Sequence, residues 1–151
     1  MCTYTIEKLE LCDYQKCNNI WDMASFPLTE TFRQEIEAEN RFVFIYKING
    51  EFIGEIAYVL DNGDPDYTVP EKRVYISRLI VKQEYRNHGI GSALIDHILK
   101  VIYDLGYTEA SIGVDKDNLP ALHLYRKKGF TTVLFDGEDT DGAFYKLLKV
   151  F

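Results

Sequence analysis

The chain has few cysteines and histidines, and neither residue type forms a recognisable site. Its 151 residues contain three of each, namely Cys2, Cys12 and Cys17, and His88, His97 and His123. Three cysteines are an odd number for disulfides, and none of these residues has the paired spacing of zinc ligands. We therefore expect free thiols, a reducing cytoplasmic location and no metal cofactor.

Long apolar runs and an excess of positive charge are also lacking. No apolar run is long enough for a membrane-spanning helix, and the opening MCTYTIEKLE contains no signal-peptide core. The chain has 24 acidic against 17 basic residues and a net charge of −7. This balance argues against binding to nucleic acid or to an anionic membrane.

The composition that remains is typical of an ordinary globular protein. Hydrophobic residues make up 46% of the chain and charged residues 27%. A chain of this length can bury a core of its own, and it has no repeats, linkers or low-complexity segments. We expect one domain over residues 1–151; homodimer formation is left open.

The order of the predicted elements, β-α-α-β-β-β-α-β-α-β-β, indicates an α/β fold with a mixed sheet. Asn49-Gly50 between two strand-like runs predicts a type I′ hairpin turn. Thr29 is a candidate N-cap for the second helix. Strands are predicted at 4–9, on both sides of Asn49-Gly50, and at 72–81, 110–115, 130–135 and 143–151; helices are predicted at 13–23, 29–39, 90–105 and 118–128.

Hydrophobic periodicity is clearest in the helix at 90–105. Apolar residues recur there at steps of four or three and predict a buried stripe that ends at Gly106. The strands before and after this helix form one crossover unit, so they should be parallel. The residues of the stripe are Ile90, Leu94, Ile98, Val101 and Leu105.

The stretch EYRNHGIGSALIDHIL, residues 84–99, places two glycines at the start of that helix. A helix N-terminus carries unpaired N–H groups and partial positive charge, and missing Cβ atoms let an anion approach them. Arg86 and Ser92 could add further donors. The pattern lacks the Gly-Lys-Ser/Thr of a P-loop and is a poor dinucleotide fingerprint. From these residues alone, a phosphate site and a mere tight turn remain equally open.

The glycine turn and a second motif later in the chain together resemble a known family. Arg86-Asn87-His88-Gly89-Ile90-Gly91 matches the cofactor signature of the Gcn5-related N-acetyltransferases, the GNAT family. The later stretch VDKDNLPALHLYRKKGF matches the family in residue type and order through Asn118, Ala121, Leu124, Tyr125, Gly129 and Phe130. The chain therefore resembles this family, which implies a central mixed sheet splayed between strands 4 and 5.

The resemblance implies acetyl-CoA as acyl donor. Its pyrophosphate would bind the turn formed by Arg86, Asn87, His88, Gly89, Ile90, Gly91 and Ser92. Its pantetheine arm would pair with the main chain of Leu79, Ile80 and Val81, although these residues also suit an ordinary core strand. Asn118 would contact the arm, or would only cap the following helix.

The resemblance also implies a general acid and leaves the base open. Tyr125 occupies the family's general-acid position, and a tyrosine still holds its proton at neutral pH. Its alternative role is a core tyrosine with a hydrogen-bonded hydroxyl. Glu55, mid-strand among apolar residues, is the candidate base, although strand alternation could instead point it to solvent. Tyr75, Ser77 and Asp115 are further candidates.

The acceptor is the least defined part of this interpretation. In the family, the early helices and the late hairpin line its pocket; here these carry Trp21, Phe26 and Phe32, and the acidic loop 136–141. Asp61, Asp64 and Asp66 form a second acidic loop. These charges predict a small cationic amine as acceptor. Acetylation of protein or peptide N-termini, a CoA-binding module without catalysis, and a nucleotide-phosphate binder are the alternatives.

Overall fold

A computed structural model of the chain describes residues 3–151, so Cys2 lies outside the described residues. Within this range Cys12 is exposed and Cys17 is buried, and both are free thiols. The strands are β1 (Tyr4–Lys8), β2 (Arg41–Ile48), β3 (Glu51–Val59), β4 (Arg73–Val81), β5 (Glu109–Asp115), β6 (Thr132–Asp139) and β7 (Gly142–Val150). The helices are α1 (Thr29–Glu37), α2 (Ile90–Asp104) and α3 (Leu119–Lys127), with 3₁₀ turns at Leu11–Asn19 and Gln83–Tyr85.

The strands form a mixed seven-stranded sheet in the order β1-β2-β3-β4-β5-β7-β6. β4 and β5 are parallel, as the crossover through α2 predicts, and β5–β7 and β6–β7 are antiparallel. The β4–β5 register runs only from Arg73–Glu109 to Ile76–Ile112, although both strands continue beyond it. The expected loss of pairing between strands 4 and 5 is therefore confirmed.

The chain divides into two compact units. Within the described residues, the first unit comprises 3–58 and 78–98, and the second comprises 59–77 and 99–151. In the first unit, one face of β2 and β3 packs on the 3₁₀ turn and α1 through Cys17, Trp21, Phe32 and Ile45. In the second unit, Phe130 and Leu147 are among the fully buried side chains. Burial of these apolar side chains supplies most of the stability of each unit.

The Asn49-Gly50 turn has the predicted geometry. Asn49 has φ of +51° and Gly50 has φ of +81°, and a type I′ turn requires positive φ at both central residues. This turn joins β2 directly to β3, which fixes their register.

Four details of the sequence prediction are wrong. The first helix is a 3₁₀ turn over Leu11–Asn19, and Thr29 does not cap α1, because its hydroxyl donates to the carbonyls of Met23 and Phe26. Leu105 lies beyond α2 and is exposed, whereas Ile95 and Ile102 complete the buried face. The acidic segment 136–141 is a loop only at its end, because β6 continues to Asp139 and pairs with β7.

Candidate active site

The turn before α2 has the backbone shape that an anion site needs. Asn87 and Gly89 both have positive φ, +66° and +80°, and the Gly89 carbonyl accepts the first α-helical hydrogen bond, from Ala93. Residues 86–89 are exposed, whereas Ile90 is buried and anchors the helix start. Sequence and structure agree on the shape of this turn.

The amides of this turn point to no acceptor in the protein. Within residues 3–151, the backbone N–H groups of residues 87–92 donate none of the backbone hydrogen bonds found outside the helices and strands. The first N–H groups of α2 also have no intrahelical partner, and the helix dipole places partial positive charge there. The turn can therefore donate several hydrogen bonds to an anion.

Arg86 closes the turn against the end of β4. Its Nε donates to the carbonyl oxygen of Val81 at 3.0 Å, and its side chain is exposed. The amide of Lys82 donates to the Ile53 carbonyl at 2.8 Å, which ties the end of β4 to β3. Leu79, Ile80 and Val81 are half-buried at this end of the strand. Arg86 thus links the turn to the end of β4 while its side chain stays exposed.

Close packing of β3 on α2 positions the same turn. A Cβ on Gly54 would lie 3.2 Å from Leu94 Cδ1 and 3.3 Å from the Ile80 carbonyl oxygen. A side chain there would push against α2 and β4. Glycine at residue 54 lets the first turns of α2 approach β3 closely.

Glu55 does not point to solvent. It is 3% exposed, its carboxylate accepts a hydrogen bond from the indole Nε1 of Trp21, and the Cys17 thiol also contacts it. Burial raises the pKa of Glu55 above its ordinary value, and the Trp21 hydrogen bond and Arg78 act in the opposite direction. A buried carboxyl with a raised pKa is suited to proton transfer near neutral pH.

Arg78 is a functional candidate that the sequence analysis missed. It lies within β4 at φ of +64°, and its guanidinium carbon is 4.5 Å from the Trp21 ring centroid and 4.1 Å from that of Phe26. The available signal was an arginine inside the apolar run YISRLIV. Trp21 and Phe26, predicted to line the acceptor pocket, are thus brought together on this cation.

Tyr125 lies in the second unit, on α3, and is buried. Burial and the nearby Tyr75 raise the pKa of its phenol to about 12. Its ring meets Phe130 edge to face at 6.3 Å, and the Phe130 amide donates to its carbonyl. The ring is thereby fixed, and the hydroxyl keeps its proton throughout the physiological range.

A cavity of about 360 Å³ in the second unit includes Tyr125 in its wall. Tyr67 and Tyr75, whose ring centroids are 4.3 Å apart, supply aromatic surface. Carboxylates at the mouth come from Asp115, Asp139 and Asp141, all exposed. Aromatic faces and carboxylates together form surroundings that favour a cation.

Only part of the acidic sequence contributes free negative charge to this cavity. Lys146 Nζ lies 2.8 Å from Asp64 and 3.0 Å from Asp66, so one positive charge offsets part of the charge of these two carboxylates within the second unit. Asp136 is paired with Lys116. The electrostatic contribution of the two acidic segments is therefore smaller than their composition suggests.

Asn118 acts as a helix cap. Its side-chain oxygen accepts a hydrogen bond from the Ala121 amide at 3.3 Å, at the N-terminus of α3. Asn118 also lines the cavity that contains Tyr125. The capping role is therefore present, and a contact with the cofactor arm stays a prediction.

The other candidate bases have different positions. Tyr75 and Asp115 line the cavity with Tyr125, whereas Ser77 is buried in β4. Among residues 3–151 there is no cluster of three or more potential metal ligands. Within the same residues, no helix combines the length and apolarity needed to cross a bilayer.

Comparison with known proteins links these features to one family. The family model described as "Acetyltransferase (GNAT) family" matches residues 3–130. An N-alpha-acetyltransferase of Sulfurisphaera tokodaii (strain DSM 16993 / JCM 10545 / NBRC 100140 / 7) is 28% identical over 118 residues, which cover 72% of this chain and 71% of that protein. Human N-acetyltransferase 8 is 37% identical over 65 residues, 43% of this chain, but the chain spans only 29% of that longer protein.

Solved structures share the fold. The ribosomal-protein-S18-alanine N-acetyltransferase from Escherichia coli superposes with a TM-score of 0.76 at 21% identity, covering 98% of this chain and 94% of that one. Other structures with this fold were solved with coenzyme A or acetyl-CoA bound. At these identities, structural similarity supports the fold, and the family model supports the chemistry.

Proposed function

The chain belongs to the GNAT acetyltransferase family, and we propose that it is an acetyl-CoA-dependent acyltransferase that acetylates a small cationic amine. The observation that carries this proposal is the cavity of the second unit, where a buried tyrosine shares the walls with three carboxylates and three further aromatic rings. A single catalytic domain over residues 1–151 and a cytoplasmic location are part of the proposal.

The residues of the α2 turn suit the coenzyme's diphosphate. Two features support this assignment. The amides of residues 87–92 have no acceptor in the described part of the protein, and Gly89 has positive φ. Ser92 and Arg86 would add donors to the same anion. The coenzyme, when bound, supplies an acetyl group activated as a thioester. The main chain of Leu79, Ile80 and Val81 is proposed to hold its amide-bearing arm.

Tyr125 is proposed as the general acid. Acyl transfer to nitrogen leaves a thiolate, and ordinary thiols titrate near pH ~8.5, far below the pKa of about 12 that burial gives Tyr125. The phenol therefore still carries its proton at neutral pH, when the leaving sulfur needs one. The amide of Val81 is proposed to donate to the carbonyl oxygen that gains negative charge.

Glu55 is proposed as the general base. An amine must lose a proton to attack, and the carboxyl of Glu55 has a raised pKa. One of its oxygens is occupied by Trp21, so proton acceptance falls to the other. If Glu55 serves this role, kcat/KM falls as pH decreases through its pKa, and Glu55→Gln removes that limb of the profile.

The acceptor proposal has a direct test. Release of coenzyme A is measured at equal concentration with three acceptors: cadaverine, an amino alcohol without a second charged group, and glutamate. We expect the highest kcat/KM for the diamine, and expect Asp139→Asn to lower it selectively. A preference for glutamate or the alcohol amine would overturn the cationic assignment. Turnover of peptides with free N-termini alone would favour N-terminal acetylation, the activity named for the Sulfurisphaera relative.

Coenzyme binding without any turnover is the remaining alternative. Calorimetric titration with acetyl-CoA separates it from the enzyme, because a binding module would give heat of binding but no thiol release with any amine. ATP or NAD giving more thermal protection than coenzyme A would instead indicate a nucleotide-phosphate binder.

A further inference from the structure

Arg78 is a cation placed at some cost inside β4. It adopts φ of +64°, a left-handed conformation that side chains other than Gly, Asn and Asp rarely occupy. Such strain persists only where the surrounding structure imposes it, and it concentrates at functional positions. The backbone at residue 78 thus departs from the strand to direct this side chain.

The guanidinium lies against two aromatic rings, and its largest favourable charge interaction is with the buried Glu55. The guanidinium carbon lies over the rings of both Trp21 and Phe26, and these rings contact each other at 5.4 Å, edge to face. A guanidinium donates its hydrogen bonds in its own plane, and neither ring provides an oxygen acceptor for them. Two fixed aromatic rings therefore orient a planar donor.

The hydrogen-bonding capacity of Arg78 is incompletely used by the protein. Within residues 3–151, its Nε is buried and has no hydrogen-bond partner. Glu55 acts electrostatically on Arg78, but the Glu55 carboxylate accepts its hydrogen bond from Trp21 instead. Leaving a buried donor unpaired is unfavourable, and an anion with two coplanar oxygens would satisfy such an edge in a bidentate manner.

We propose that Arg78, oriented by Trp21 and Phe26, binds a carboxylate in the first unit. The carboxylate comes either from the acceptor itself, in which case the acceptor is an amine that also carries an acid group, or from a separate carboxylic acid. The first source rests on the proposed acetyltransferase function, whereas the binding site itself does not. Neither the family match nor the GNAT motifs assign a role to Arg78.

Trp21 supplies a readout that is independent of catalysis, because it is the single tryptophan of the chain. The intrinsic fluorescence is titrated with N-acetyl amino acids, whose blocked amine prevents turnover, and with their uncharged carboxamides. Chloride concentration is held constant. We expect a saturable change with the carboxylates and none with the carboxamides. Equal responses to both, or to neither, would overturn the proposal, and saturation by sulfate alone would show an inorganic anion site instead.

Variants then test the residue. Arg78→Gln should weaken the fluorescence response roughly 10- to 100-fold, the range expected for loss of a charge-assisted hydrogen bond. Arg78→Lys should recover it only in part, because an ammonium lacks the planar fork. Arg33→Gln is the matched control, since Arg33 is half-buried at the surface of α1 and pairs with Glu30 and Glu37. Unchanged titrations in folded Arg78 variants would contradict the assignment.

Steady-state kinetics separate the two sources. Lysine is compared with cadaverine, and arginine with agmatine, as acceptors for the wild type and for Arg78→Gln. If the acceptor supplies the carboxylate, Arg78→Gln raises KM for the two amino acids by the same factor by which it weakens the fluorescence response. KM for the decarboxylated amines then stays unchanged. An equal change in KM for the amino acid and for the decarboxylated amine of each pair indicates that a separate carboxylic acid binds Arg78. No turnover of any amine would refute the proposed function while leaving the fluorescence result to decide the site.

Discussion

The hydroxyl oxygen of Tyr67 lies 2.5 Å from the position that a Cβ on Gly113 would occupy. Both residues line the cavity that contains Tyr125, so glycine at the centre of β5 leaves space for a phenol over the strand. The Ser111 hydroxyl donates to the Tyr67 carbonyl at 2.6 Å and holds that loop on β5. The shape of the cavity therefore depends on one missing methyl group.

Gly113→Ala should displace the Tyr67 ring and impair acceptor binding. We expect a rise in acceptor KM and a loss of about 1–3 kcal/mol in the free energy of unfolding, as is usual for overpacking. Thiol-release kinetics and urea unfolding measure the two effects. Tyr67→Phe removes the clashing oxygen, so the double variant should recover most of the loss. An additive double variant would show that the clash is not the cause.

Tyr125→Phe should lower kcat while the protein stays folded. Loss of a general acid typically reduces the rate about 10²- to 10⁴-fold. In the wild type, the protonated phenol is the active form, so the activity that depends on Tyr125 declines only as pH rises toward about 12, not near 10 as for an ordinary tyrosine. Tyr103→Phe, at an exposed tyrosine on α2 with no assigned role, is the control. Undiminished turnover in Tyr125→Phe would exclude the acid role.

Gly89→Ala should weaken coenzyme binding beyond its effect on stability. Gly89 and Gly106 stand before and after α2, both have positive φ, and a Cβ on either would meet no atom within 4 Å. Each Ala variant should therefore lose about 1–2 kcal/mol through backbone strain alone. Calorimetry with coenzyme A should detect weaker binding only for Gly89→Ala. Equal affinities in the two variants would argue against a diphosphate at this turn.

Glu55→Gln should change how stability depends on pH. Because burial raises the pKa of Glu55 in the folded state, its contribution is present below the ordinary pKa near 4.5 and is lost as pH rises through the folded pKa. The wild type should thus lose stability relative to Glu55→Gln as pH increases. Urea unfolding of both proteins between pH 4 and 8 measures this difference.

Glu51, on the same strand, provides the opposite case. Asn19 and Lys82 lower its pKa, so its contribution is present above the ordinary pKa and is lost as pH falls. The wild type should therefore gain stability relative to Glu51→Gln as pH increases. If Glu55→Gln and Glu51→Gln gave slopes of the same sign, the assigned pKa direction of Glu55 would be wrong.

Much of the fold follows from local sequence signals. The Asn49-Gly50 turn, the strand that ends at Val81, the glycine turn before α2 and the parallel β4–β5 pair are all present as predicted. These features depend on backbone preferences and periodicity, which neighbouring residues set. The predictions for Leu105 and for the acidic segment 136–141 were wrong. The burial of Leu105 depends on where α2 ends, and the conformation of the acidic segment depends on which strand is available for pairing.

The amino-acid sequence by itself determined the family, the order of the helices and strands, and the backbone conformation of the glycine turn before α2. Each of these is encoded in residues that are close together in the chain. Only the tertiary structure decided that Glu55 is buried against Trp21, that Asp64 and Asp66 both pair with Lys146, and that Arg78 lies against two aromatic rings. Burial and charge pairing join residues that are distant in the chain. They become visible only once the strands and helices have packed.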